Sequence, residues 1–260
     1  MKDSTRHIIH LIGASLIVLL ITGYMAATAV LLGERKDDTP CRQLVVTIED
    51  SAKYDFITRA DLQTYLKSRH VQAVGGTVGI DDAHRIEQAA ACMNLVKRAE
   101  CFCGTDGTLY LQVWQRCPKF RVITPLRSYY VDDNRTTMPT SKRFTANLPI
   151  VTGSIDTTLT CGIMYDFVQY LTANEFWRTH IGEICVSDEG EVSLITCRGV
   201  AEIQLGTLEH YQQKMQTAYA WMSQYPDEAL GDKYQSINIA YEGLLYARKK
   251  ESETTNPSAL

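Results

Sequence analysis

The residues from Ile8 to Leu32 form one apolar run without a single Asp, Glu, Lys or Arg. A run this long exceeds the ~20 residues that carry a helix across a bilayer. The sequence therefore predicts a cytoplasmic stub at 1–7, a transmembrane helix at 8–32 and one large body on the far side of the membrane. A cleaved secretion signal is the rival reading, with Lys2 and Arg6 as its basic start and Ala27-Thr28-Ala29 as a small-residue cleavage site. The apolar stretch ahead of that site is longer than the ~7–15 residues of a signal core, which favours an uncleaved anchor. Basic residues flank the run on both sides, Lys2 and Arg6 before it, Arg35 and Lys36 after it, so charge counting does not orient it. The short stub favours an N-terminus inside.

Behind the run, 33–40 reads as a charged linker ending at Pro40. The remaining length fits one large domain or two small ones. A formal charge of −4 and a pI near 5.9 argue against nucleic acid as the main partner. All eight cysteines follow the run. Export permits disulfides without fixing their connectivity, and the reading preferred here is small buried thiols with one or two bridges. Cys101-Phe102-Cys103 lacks the spacing of a zinc or redox pair, and His70, His84, His180 and His210 show no metal spacing. No nucleophile elbow, phosphate loop or dinucleotide loop is present. Asp132-Asp133 and Asp188-Glu189 read as turn residues rather than as paired acid–base groups. Asn134-Arg135-Thr136, a formal glycosylation sequon, reads as an ordinary loop. No enzyme, cofactor or metal is expected.

The body divides into two blocks. In 41–117, Leu44 to Ile48 is β-prone. Thr58-Arg59-Ala60-Asp61 is a helix start with Ile57 and Leu62 as its staple, and Leu62 and Leu66 carry the buried face to about His70. Gly75, Gly76 and Gly79 interrupt. A second helix begins near Asp81 or Asp82, with Ile86, Ala90 and Met93 on one face. Val96 to Cys103 and Thr108 to Arg116 read as strands joined by a turn at 104–107, Leu109, Leu111 and Val113 alternating with Tyr110, Gln112 and Trp114. The order is β-α-α-β-β.

The block at 118–250 is β-rich with packing helices. Strands are expected around 120–123 and 129–131, and a hairpin at 181–187 and 191–196. A short strand follows at 203–206, and a last strand runs from Ser236 to Tyr246. One helix spans Thr158 to Leu171, with Leu159, Ile163, Phe167 and Leu171 on its inner stripe. Another runs from about Leu208 to Gln224, with Leu208, Tyr211, Met215, Tyr219 and Met222 inward. Residues 251–260 read as a flexible tail. The fold class is α+β.

Ile237, Ile239 and Tyr241 alternate toward one face of that last strand, and Gly243, Leu244, Leu245 and Tyr246 follow with little charge. An edge strand offers free N–H and C=O groups that a partner strand completes. Ile239, Tyr241, Gly243, Leu244, Leu245 and Tyr246 are therefore the candidate partner-binding residues.

This arrangement resembles the bacterial division protein family FtsQ, called DivIB in Gram-positive species. Its β-α-α-β-β block resembles a POTRA domain. Val113 to Pro118 resembles the family's strand ending in an Arg-x-Pro turn. Tyr129 to Asp132, Met138-Pro139, Leu148 to Gly153, Ile203-x-Leu205-Gly206 with Lys214, and Ile237 to Tyr241 resemble the elements of its second domain. Asn134-Arg135 stands where the family often has glycine, and Asn238 and Ala240 replace a charged pair. The resemblance implies a non-enzymatic scaffold in the cytoplasmic (inner) membrane, its body periplasmic or extracytoplasmic and concentrated at the division septum. It implies an FtsB-like coiled-coil partner docking at the C-terminal edge, an FtsL-like coiled-coil protein paired with it, and the FtsW/FtsI septal synthase reached indirectly. An exported cell-wall enzyme would need a convergent acid, base or nucleophile set, and a POTRA-bearing envelope assembly factor would need a long series of barrel strands. The sequence shows neither.

Overall fold

In the computed structural model of the chain, the described residues are 13, 15–28, 43–71, 80–104, 106–197, 202–225 and 233–250. Residues 15–28 are helical, and Leu16, Ile17, Val18, Leu19, Leu20, Ile21, Tyr24 and Met25 leave more than half of their surface exposed. Among the described residues no helix is long and apolar enough to cross a membrane. The rest of the Ile8–Leu32 run, Cys41, the glycines at 75, 76 and 79, and the tail lie outside the described residues.

The body forms two compact units. The first holds residues 43–47, 63–71, 80–90, 99–104 and 106–112, and the second holds 48–62, 91–98 and 113 onward. β1 (Gln43–Ile48), α1 (Arg59–Ser68), α2 (Ile80–Ala91), β2 (Val96–Cys103) and β3 (Thr108–Gln115) give the expected β-α-α-β-β order, with sheet order β1-β3-β2. The local signals explain α1. Thr58 N–H donates to Asp61 Oδ2 at 2.9 Å and Asp61 N–H returns to Thr58 Oγ1 at 3.1 Å, a reciprocal capping box. At the other end His70 sits in the left-handed region at φ 56, while Val71 N–H reaches Leu66 O and His70 N–H reaches Lys67 O. Together they make a Schellman stop with histidine in the usual glycine place. Asp81 and Asp82 lie within the first turn of α2 rather than before it, where carboxylates still complement the helix dipole.

The larger unit is built on a nine-stranded mixed sheet, in the order β12-β11-β10-β9-β8-β7-β4-β5-β6. Its strands are β4 (Pro118–Ile123), β5 (Ser128–Asp132), β6 (Thr137–Pro139), β7 (Ile150–Gly153), β8 (Ile181–Val186), β9 (Val192–Thr196), β10 (Glu202–Gly206), β11 (Tyr234–Asn238) and β12 (Tyr246–Lys249). The pairs β4–β7, β7–β8 and β10–β11 are parallel. Its helices are α3 (Thr157–Cys161), α4 (Ile163–Ala173), α5 (Glu175–His180) and α6 (Tyr211–Gln224). Phe120, Val122, Val151, Ile184, Leu194, Ile203 and Ile237 from the strands form one core with Met164, Phe167, Leu171, Trp177, Met215 and Met222 from the helices.

Four expectations are corrected. The helix from Thr158 to Leu171 is two helices broken at Gly162, whose backbone lies at φ −93, ψ −119 and hands its N–H back to Thr158 O. Because of that break Ile163 turns outward and is exposed. Tyr219 is exposed rather than inward and packs edge-on against Phe176 at 4.9 Å. The strand from Ser236 to Tyr246 stops at Asn238, and the chain turns before pairing back as β12. The cysteine expectation also fails. Among the described residues no disulfide is formed, and none of the seven cysteines there is fully buried.

Candidate functional site

The turn between β11 and β12 is set by side chains. Asn238 Nδ2 donates to Gln204 Oε1 at 3.1 Å, while Asn238 Oδ1 accepts the Ala240 N–H at 3.0 Å. An asparagine that binds a backbone group two residues on competes with the strand ladder. Ile239 N–H still reaches Gln204 O, and its side chain is fully buried. Gly243, at φ 71, then reverses the chain, and Leu244 N–H closes onto Tyr241 O at 3.2 Å. The turn rests on β10. Gly206 also has φ +71, and a Cβ there would meet Ala240 Cβ at 2.9 Å, so only glycine lets the two segments approach.

Below this turn lies Lys214 of α6, a buried cation. Its ammonium donates to Thr207 O at 2.8 Å and Leu205 O at 3.3 Å. Burial pulls its pKa below the usual lysine value, and Glu209 and Glu242 oppose that pull. These bonds tie the end of β10 to the helix layer.

β12 is the outermost strand. It pairs antiparallel with β11, from Asn238↔Tyr246 to Tyr234↔Lys249, and all four of its residues are exposed. Lys250 N–H donates to Lys233 O. The alternation of an antiparallel ladder then aims the N–H groups of Ala247 and Lys249 away from β11.

The candidate residues fall into two sets. Tyr241, Leu244 and Tyr246 are exposed at 67%, 50% and 60%, and exposed Gly243 shapes the turn between them. Ile239 is core, and Leu245 is half-buried against that core. Ala247, Arg248 and Lys249 were missed. Their signal was the charge following the apolar stretch, since lysine commonly marks an edge strand.

A second constellation sits at the start of β4, inside the larger unit. Gln115 is 2% exposed. Its Oε1 accepts from Phe56 N–H at 2.9 Å and Ile57 N–H at 3.0 Å, and its Nε2 donates to Asp50 Oδ1 at 3.1 Å and Tyr54 O at 2.7 Å. Every valence of the amide is used. Arg116 donates to Asp132 Oδ2 at 2.8 Å, Asn94 O at 3.1 Å and Thr136 O at 3.2 Å. Asp132 Oδ1 accepts the N–H groups of Asn134 and Thr136, which is turn chemistry, as expected of Asp132-Asp133. Burial opposes its charge, but the bonds from Arg116 and Thr136 prevail and hold the Asp132 carboxyl below its ordinary value. Arg135, where the resembled family often has glycine, sits in the left-handed region at φ 57. Its guanidinium pairs with Asp166 at 2.6 and 3.1 Å and lies 4.5 Å over the Tyr165 ring.

Comparison with known proteins finds two matches in succession along the chain. Residues 39–114 match the POTRA-like domain model, and residues 117–245 match the model described as FtsQ/DivIB, C-terminal related. The chain belongs to the FtsQ/DivIB family. The FtsQ/DivIB family is one of non-enzymatic scaffolds of cell division. No curated protein matches the chain. The FtsQ/DivIB match ends at residue 245, so the turn lies within it and β12 lies beyond it.

Proposed function

We propose that the chain is a membrane-held scaffold of the division septum that captures a partner by strand addition at β12. The single observation carrying this is the free side of β12, the only side of that strand left unpaired among the described residues. An added strand would satisfy the outward groups of Ala247 and Lys249, and the exposed Tyr241, Leu244 and Tyr246 give it apolar surface alongside. The family points to an FtsB-like coiled-coil protein as the visitor, with an FtsL-like protein beside it and the FtsW/FtsI synthase reached through them. Anchoring rests on the uncharged Ile8–Leu32 run and on the exposed apolar side chains of residues 16–25.

The corrected strand limits change the decisive substitution. Leu244 lies in the turn, so Leu244→Pro would break the Leu244–Tyr241 bond rather than the ladder. Ala247→Pro removes an outward donor, which an edge strand tolerates and a visiting strand does not. Pull-down of the extracytoplasmic part of the FtsB-like protein by the full chain should be lost with Ala247→Pro and kept with Ala247→Val, circular dichroism being unchanged in both. Capture by a folded Ala247→Pro chain equal to the parent would place the binding surface elsewhere. Intact mass of membrane-extracted protein tests the anchor, and a mature N-terminus at Val30 would refute it.

A further inference from the structure

An open groove of about 680 Å³ runs along the larger unit, well away from the β11–β12 turn in sequence and sharing no residue with it. Lys53, Lys119 and Arg178 line it, and no Asp or Glu does. In a chain of net charge −4 such a strip stands out by its sign. Among the described residues neither Lys119 nor Arg178 forms an ion pair. Lys53 lies over the Tyr54 ring at 5.0 Å, and Tyr54 Oη meets Cys117 Sγ at 3.0 Å, which fixes one wall. Two carboxylates lie close in sequence to one wall or the other, and Asp50 acts on Lys53 through space. Asp50 accepts from Gln115, and Glu183 accepts from the Thr152 hydroxyl at 2.6 Å. Leu148, Pro149 and Ile181 add apolar lining to the same groove.

We propose that this groove is a second docking site, taking an extended acidic segment of a partner protein. Several cations in an open channel with apolar lining suit a chain that passes through and presents several carboxylates. An isolated anion would leave most of the lining bare. Among the described residues Lys119 is half-buried and forms no ion pair, so a carboxylate arriving there meets a cation that no other side chain has paired. The site does not depend on β12.

The test uses the purified full chain in detergent and a fluorescein-labelled hexaglutamate peptide, read by fluorescence polarisation. The parent should bind the peptide with an affinity that falls as salt rises. Lys119→Glu/Arg178→Glu should weaken it by about tenfold or more. Lys67→Glu/Lys142→Glu, which changes net charge equally, should leave it unaltered. If the first double variant misfolds, Lys119→Gln/Arg178→Gln should still weaken binding by severalfold. No binding by the parent, or equal loss in both double variants, would overturn the proposal. Unchanged peptide binding by Ala247→Pro would show that the groove and the edge act separately.

Discussion

The two ends of the larger unit solve opposite problems with polar groups. Around Gln115, which is buried, and Arg116, which is half-buried, the side-chain bonds are closed within the chain. At β12 the backbone of a whole strand is left half open. A polar group whose partners are all internal fixes geometry, because any other arrangement leaves it unpaired. A polar group without an internal partner is available to another chain. The difference teaches where rigidity is held and where exchange is allowed, and it predicts that substitutions at the two ends will separate stability from binding.

The largest loss of stability is expected from Asp132→Ala. It leaves Arg116 without its carboxylate and frees the turn N–H groups, for about 3–5 kcal/mol. Urea denaturation of the full chain checks this, and a loss under ~1 kcal/mol would show that the closed end is not a lock. The same pair gives a pH dependence. The Asp132 value is depressed in the fold, so its contribution is complete above the free carboxylate value and is lost as pH falls through the lower folded value. The acid limb of the parent's stability curve should be steeper than that of Asp132→Asn. Gln115→Leu comes next, at about 2–4 kcal/mol. It strips the acceptor from the buried N–H groups of Phe56 and Ile57, each costing ~1–3 kcal/mol when unmet. Ala247→Pro should cost under ~1 kcal/mol of stability while abolishing strand capture. Tyr241→Ala should be the mildest, within ~0.5 kcal/mol, while weakening capture. A reversal of this order, with edge variants unfolding and closed-end variants only failing to bind, would break the comparison.

What the sequence made legible was local. The Thr58–Asp61 box lies within three residues, so pattern alone placed α1. Leu109, Leu111 and Val113 share one parity, and all three are fully buried. The Asp188-Glu189-Gly190 turn formed where expected, with Gly190 at φ 81. Gln115 continues the inward parity of β3, and a glutamine at an inward position was the unread sign of the closed end. Other features depended on distant partners. Asn238 ends β11 because Gln204, far off in sequence, holds its side chain. The apolar pattern of Ile237 and Ile239 continues past that point and disguises the turn. β10 beside β11 is a parallel pairing across a helix, which alternation within either strand does not reveal. The division-scaffold reading came from the resemblance rather than from any reactive group. The two family matches support that reading.

The far edge of the sheet has its own consequence. β6 is three residues long and ends in Pro139, which has no N–H to give. It is a poor template for a further strand, while β12 offers two outward donors. The sheet can therefore be lengthened from one end only. A chain with two good edges would stack into filaments of like subunits; this one, once its open side is filled by a strand whose own far edge is covered, can add nothing more. Were a strand added at β12 as proposed, this difference in strand length would set a stop, with one visitor to each sheet.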